Sequence, residues 1–164
     1  MISLQEFKQD ILDELEDVPF AMATLKGSAA YPDLRGTVLF FETNGGVIVL
    51  ADVENLPVQT ACGSVYGFHI HEGMRCGGDD FAQTMGHYNP TDCPHPYHAG
   101  DLPPLFRNDG PNGDGGAWMA VLTDRFTLQE IVGRTVVIHD RMDDFVSQPA
   151  GNSGRKIACG VIRR

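Results

Sequence analysis

Two periodicities divide the chain. Leu4, Phe7, Ile11, Leu12 and Leu15 recur at helical spacing, and Ser3 with Glu6 three residues on has the form of a capping box. The pattern predicts one amphipathic helix in an N-terminal extension over 1–20. Its apolar stripe would pack either on the body or on a partner subunit, as in a homodimer. From Ala21 the spacing shortens. Residues 21–25, 36–42 and 47–53 are short apolar runs, the last two joined by Asn44-Gly45, a hairpin signal. Further strands are predicted at 65–71, 116–122, 134–139 and 156–162, each bounded by Gly, Asp, Asn or Pro. Two irregular stretches, 72–112 and 140–155, lie between them, and loops of that length in a compact domain usually have functional content. The glycine-rich run at 108–116 lacks the closing glutamate of an EF-hand loop and reads as a turn.

Length and composition turn this pattern into a fold class. The 164 residues, 42% of them hydrophobic, suit one body domain over 21–164. Nineteen glycines and ten prolines argue against a helical bundle and for short strands with long loops, an all-β chain. The formal charge of −10 excludes nucleic acid and anionic membrane surfaces as expected partners. Six acids over residues 1–17 against Lys8 give −5, half of that total. No stretch reaches the roughly 20 apolar residues of a membrane span. The N-terminus shows no basic n-region and no apolar h-region, so a cytoplasmic location is expected. Four cysteines (Cys62, Cys76, Cys93 and Cys159) leave the redox compartment and three fully paired connectivities open.

The histidines carry the chemistry. In Gly67-Phe68-His69-Ile70-His71, alternation sends His69 and His71 to one face of a strand and Phe68 and Ile70 to the other. His87 lies in GHYNP, and His98 follows within HPYHAGD, flanked by His95 and Asp101. Three imidazoles and a carboxylate are a typical zinc inventory. His139 ends an apolar run just before Asp140, where it could join His69 and His71 at a second metal or serve a structural role. Other sites fit worse. His71-Glu72 lacks the second histidine of HExxH, and CxxC, GxSxG and GxxxxGK[ST] are all absent.

In order along the chain, GFHIHE (67–72), GHYNP (86–90), HAGDLP (98–103), GRTVVIHD (133–140) and ACGVI (158–162) resemble the copper/zinc superoxide dismutase family, in its prokaryotic form. The resemblance runs from about Ala23 to Ile162 and leaves only the acidic helix outside. It implies an eight-stranded antiparallel Greek-key barrel, or flattened immunoglobulin-like sandwich, with two long active-site loops. It further implies copper at His69, His71, His87 and His139, and zinc at His87, His95, His98 and Asp101, with His87 bridging. Superoxide would be disproportionated to O₂ and H₂O₂ by copper cycling, and His87 would move a proton.

Asp143 matches the family's outer carboxylate, which links a copper ligand to a zinc ligand, and Cys76 with Cys159 matches its disulfide. Cys62 and Cys93 have no counterpart; they pair or remain thiols. Prokaryotic relatives of this type are often exported. Two departures stand out. Only Pro96 and Tyr97 separate His95 from His98, where the family has a longer subloop. Lys156, with Arg155 beside it, stands where the family has a guiding arginine; a cation is kept but not its planar fork. The alternative is a non-catalytic copper/zinc-binding protein of the same fold.

Overall fold

Alternation of buried and exposed positions builds the body. In β1 (Phe20–Gly27), Ala21, Ala23 and Leu25 are buried while Phe20, Met22 and Thr24 face out, the period of a strand with one wet face. The computed structural model describes residues 3–16, 18, 20–109 and 113–164. It continues with β2 (Arg35–Thr43), β3 (Gly46–Glu54), β4 (Val65–Tyr66), β5 (Phe68–His71), β6 (Leu105–Phe106), β7 (Ala117–Thr123), β8 (Thr135–His139) and β9 (Lys156–Val161). Residues 110–112 of the expected glycine-rich turn, and the side chain of Leu4 in the helical stripe, lie outside the described residues.

Seven strands form one antiparallel sheet in the order β5-β8-β9-β1-β2-β3-β7, and β4 pairs with β6. β4 and β5 are one run of chain interrupted at Gly67, and β6 returns to β7 through paired backbone bonds between Asn108 and Gly116 at 2.7 and 2.9 Å. The sheet therefore curls round on itself into a Greek-key barrel. With β4 and β5 counted together, its strands number the eight that were expected. Phe40, Val49, Phe68, Ile70, Val136, Ile138 and Ile157 fill the interior, each stabilising the fold by roughly 1.5–3 kcal/mol on burial.

Three details differ from the sequence reading. The run 65–71 is broken because both backbone groups of Gly67 are taken by the chain around the end of β8. Its N–H donates to Arg141 O (2.7 Å), and its C=O accepts from His139 (2.9 Å). The first loop ends early, since Leu105 and Phe106 pair with Tyr66 and Val65. A short helix, α2 (Leu128–Ile131), follows β7, closed by a Thr127/Glu130 capping box. The 44–45 hairpin forms as expected, with Thr43 paired to Gly46. Its left-handed residue is Gly46, where a Cβ would lie 2.3 Å from Thr123 O.

The N-terminal helix α1 (Leu4–Glu14) is closed by both bonds of its Ser3/Glu6 capping box. Of its two expected resting places, it takes the body. Lys8 Nζ lies 2.7 Å from Asp52 on β3, and the Phe7 ring meets Trp118 on β7 edge-on at 5.8 Å between centroids.

Cys76 and Cys159 are joined, with Cα atoms 5.7 Å apart, tying the first long loop to β9. Cys62 and Cys93 do not form the second bridge: Cys62 is an exposed free thiol, and Cys93 a partly buried one 3.3 Å from Thr91 Oγ1. A cross-link spanning 83 residues removes much freedom from the unfolded chain, a contribution of about 2–4 kcal/mol. The Cys76→Ser/Cys159→Ser variant should therefore melt roughly 5–15 °C lower by calorimetry. An unchanged Tm would contradict a stabilising bridge.

Candidate metal centre

β5 supplies the first two ligands. It is an interior strand, with β8 along one edge and the first long loop folded back along the other. Ile70 N–H donates to Gly100 O (2.8 Å), Tyr88 N–H to Ile70 O (2.8 Å) and Leu102 N–H to Phe68 O (3.3 Å). This ladder sets His87 opposite His71 and Asp101 opposite His69. Gly100 makes the approach possible, since a Cβ there would lie 2.2 Å from Ile70 O. The end of β8 delivers His139, and the 140–155 loop delivers Asp143.

The result is two buried groups, His69/His71/His87/His139 and His87/His95/His98/Asp101, and in each group the ligand atoms lie within 4.8 Å of one another. All six histidines and Asp101 thus converge, and His87 belongs to both groups. His95, despite its short link to His98, lies within the second group, with Nδ1 at 3.1 Å from Asp101 Oδ2.

Hydrogen bonds decide which nitrogen of each ring is left free. Asp143, 1% exposed, accepts from His69 Nε2 at 2.7 Å and from His95 Nε2 at 2.9 Å, so the Nδ1 lone pair of both rings points into the site. His71 Nδ1 donates to Met85 O (3.0 Å) and His139 Nδ1 to Gly154 O (3.4 Å). Their two Nε2 atoms then face each other at 3.1 Å, both bearing lone pairs aimed at one point. Among the described residues, His69 Nδ1, His87 Nε2 and His95 Nδ1 are buried without any hydrogen-bond partner. Orphaned buried nitrogens are costly in a native fold. A cation taking up these lone pairs satisfies every one of them, so the donor set fits two metal ions. The carbonyls of Met85 and Gly154 escaped the sequence reading, because a backbone oxygen carries no residue signal.

Electrostatics agree. Burial, then the neighbouring rings, push His69 and His71 well below the ordinary histidine value, and burial brings His139 down to about 4. Burial also lowers His98. For Asp101, burial acts upward, but the hydrogen bond from His87 and the surrounding rings hold the carboxyl below its usual range. His69, His71, His98 and His139 are therefore neutral and Asp101 is ionised at neutral pH, as metal binding requires.

The two cations expected near the site differ. Lys156 Nζ donates to Thr84 Oγ1 (2.7 Å) and to Met85 O (2.8 Å), the same carbonyl that holds His71. Its charge reaches the site, lowering both His71 and His139. Arg155 instead points outward and pairs with Asp140 at 3.2 Å, its side chain 66% exposed.

A curled β-barrel fold whose loops bring two buried sets of potential ligands to one shared imidazole defines a two-metal protein. The chain matches the family described as copper/zinc superoxide dismutase over residues 34–162. It is 34% identical over 142 residues to "Superoxide dismutase [Cu-Zn] 1" of Aquifex aeolicus, covering 78% of this chain and 79% of that one. The structure of the Cu/Zn superoxide dismutase from Brucella abortus superposes with a TM-score of 0.72 at 28% identity, over 88% of this chain and 100% of that one. A SOD-like protein from Bacillus subtilis superposes at 0.69 with 26% identity, over 85% and 96%. The chain belongs to the copper/zinc superoxide dismutase family. The two donor groups suit the metals of that family, copper and zinc.

The depressed histidines set a pH dependence for the metal-free protein. The unfolded chain takes up protons near the ordinary 6.5, whereas folded His139 does so only near 4 and His69 and His71 are also displaced downward. Stability is therefore full above about 6.5 and falls as pH drops towards 4. The Tm of the metal-free protein should decline between pH 6.5 and 5, above the range where most carboxylates titrate. A flat Tm across that window would contradict neutral buried rings.

Proposed function

We propose that this protein is a superoxide dismutase, with copper at His69, His71, His87 and His139, zinc at His87, His95, His98 and Asp101, and His87 shared as the bridge. The observation that supports this reading most is that both ligand sets are complete and meet in one ring. When bound, copper supplies one-electron cycling between Cu(II) and Cu(I), while zinc, having no redox chemistry, supplies a fixed positive charge.

The rest falls to the chain. Two superoxide anions and two protons give O₂ and H₂O₂, so the site must deliver protons. His87 is the ring placed to do so: its Nε2 is buried and unpartnered and can hold or release a proton, while Nδ1 stays engaged beside Asp101 at 2.7 Å. Asp143 keeps His69 and His95 from turning as that proton moves. The Met85 and Gly154 carbonyls do the same for His71 and His139.

The substrate is an anion and the chain carries −10 overall, so attraction must be local, acting within about a Debye length of the site (~8 Å at physiological salt). Lys156 fits that task, because its ammonium is fixed beside the carbonyl that orients His71. Arg155 is largely offset by Asp140 and contributes less. A second reading, a copper/zinc-binding protein without dismutase activity, is favoured by the likeness to a protein described only as SOD-like. The full ligand sets support the first.

Pulse radiolysis separates the two. The copper- and zinc-loaded protein should remove superoxide with a rate constant on the order of 10⁸–10⁹ M⁻¹s⁻¹. Loaded protein without superoxide decay would establish the second reading. Lys156→Glu should slow the decay and change its salt dependence, with a smaller effect for Arg155→Glu. If neither variant alters the rate or its response to salt, steering by these residues is wrong.

A further inference from the structure

Only Pro96 and Tyr97 separate His95 from His98, yet both rings reach the second ligand group. Bonds inside the loop explain part of this. Tyr97 N–H donates to Pro94 O (2.9 Å), Asp101 N–H to His98 O (3.2 Å), and His98 N–H to Asp101 Oδ2 (3.0 Å). None of them touches the backbone of His95.

Two side chains from other parts of the chain supply what is missing. Gln148, in the 140–155 loop, pairs its amide with His95 as one peptide group pairs with another: Nε2 donates to His95 O at 2.7 Å and Oε1 accepts from His95 N–H at 2.9 Å. Neither backbone group of His95 has another partner among the described residues. Asp143, from the same loop, holds the His95 ring. A second segment supplies Arg125, in the connection between β7 and α2. Its Nη1 lies 3.3 Å from Pro96 O, 3.4 Å from His98 O and 3.3 Å from Asp101 O. A guanidinium only donates and always carries charge, so its bonds to carbonyls are stronger than neutral ones.

We infer that Gln148 and Arg125 are positioning residues for zinc, tying the short 95–101 loop to two other segments of the chain so that His95, His98 and Asp101 converge without a longer subloop. The inference rests on the reading that the second ligand group holds zinc. Among the described residues, neither Gln148 nor Arg125 hydrogen-bonds to His69, His71 or His139. Their loss should therefore weaken zinc selectively and leave copper in place. It also makes the 140–155 loop, which reaches His95 through both Asp143 and Gln148, part of the zinc site, although that loop begins just after His139.

The test is a titration of the full-length, metal-free protein with Zn²⁺ in competition with a chelator and, separately, with Cu²⁺. Co²⁺ serves as a visible probe of four-coordinate geometry at the zinc position. Gln148→Ala and Arg125→Gln should each lower zinc affinity about 10–100-fold, as loss of outer support typically does, and weaken the Co²⁺ absorption. Copper affinity should stay within about threefold of wild type. Arg125→Lys, which keeps a charged donor but on a shorter side chain without the planar fork, should recover part of the loss.

Unchanged zinc affinity and Co²⁺ spectra in both variants would overturn the clamp while leaving the metal assignment intact. An equal loss of copper and zinc would also overturn it, by showing general loosening of the fold. Wild-type protein that binds no zinc at this group would overturn the metal reading and the clamp together.

Discussion

A single carboxylate organises the centre of this molecule. Asp143 is buried, and an ionised group in that position is tolerable only with donors arranged around it. It has three: His69 Nε2, His95 Nε2 and the Phe145 N–H, at 2.7, 2.9 and 2.7 Å. Because the two ring bonds consume the Nε2 protons, each ring must present its Nδ1 lone pair to the site. The carboxylate thus fixes the tautomer and direction of one ring in each ligand group at once. Without it, two rings that belong to different groups would be free to turn independently.

The barrel makes that arrangement affordable. β5 is held on both edges, by β8 and by the backbone of the first long loop, so its two histidines project from a strand paired along its length. The loop itself is irregular in name only. Where it runs along β5 it behaves as added strand, which is why His87, His98 and Asp101 arrive at fixed heights beside His69 and His71. Gly100 is required by this construction, since a Cβ there would press on the Ile70 carbonyl, and a Cβ at Gly67 would crowd the Ser153 side chain at 2.9 Å. The disulfide anchors the same loop to β9 at its beginning. Rigidity from the strands and reach from the loops together produce a site of neutral imidazoles with unsatisfied lone pairs, the condition a metal ion relieves.

Much of this was legible from residue order. The period-two runs located the strands to within a residue or two, and the alternation in Phe68-His69-Ile70-His71 correctly placed both imidazoles on one side. Spacing grouped His87, His95, His98 and Asp101 as a zinc inventory and offered His139 as a companion of His69 and His71, but that His87 belongs to both groups came only through family resemblance, because spacing alone does not show which loop returns to which strand. What stayed hidden was tertiary. The split of β4 from β5 depends on the end of β8 claiming the backbone of Gly67, and β6 exists only because Val65 and Tyr66 offer it a partner. The Thr127/Glu130 capping box before α2 was readable as a pattern. The acceptor carbonyls of Met85 and Gly154 were not, and neither were the partners of Gln148 and Arg125, since such bonds join segments far apart in sequence. The contrast between Lys156 and Arg155 has the same origin: adjacent cations, one turned to the metal loops and one to Asp140.

The account turns on one imidazole serving two different metals. A crystal of the copper- and zinc-loaded protein, with anomalous scattering recorded on either side of both absorption edges, tests this most directly. Copper is predicted on the Nε2 side of His87 among His69, His71 and His139, and zinc on the Nδ1 side among His95, His98 and Asp101. Zinc at both positions, a single ion, or a His87 ring bound to only one metal in every crystal would contradict it.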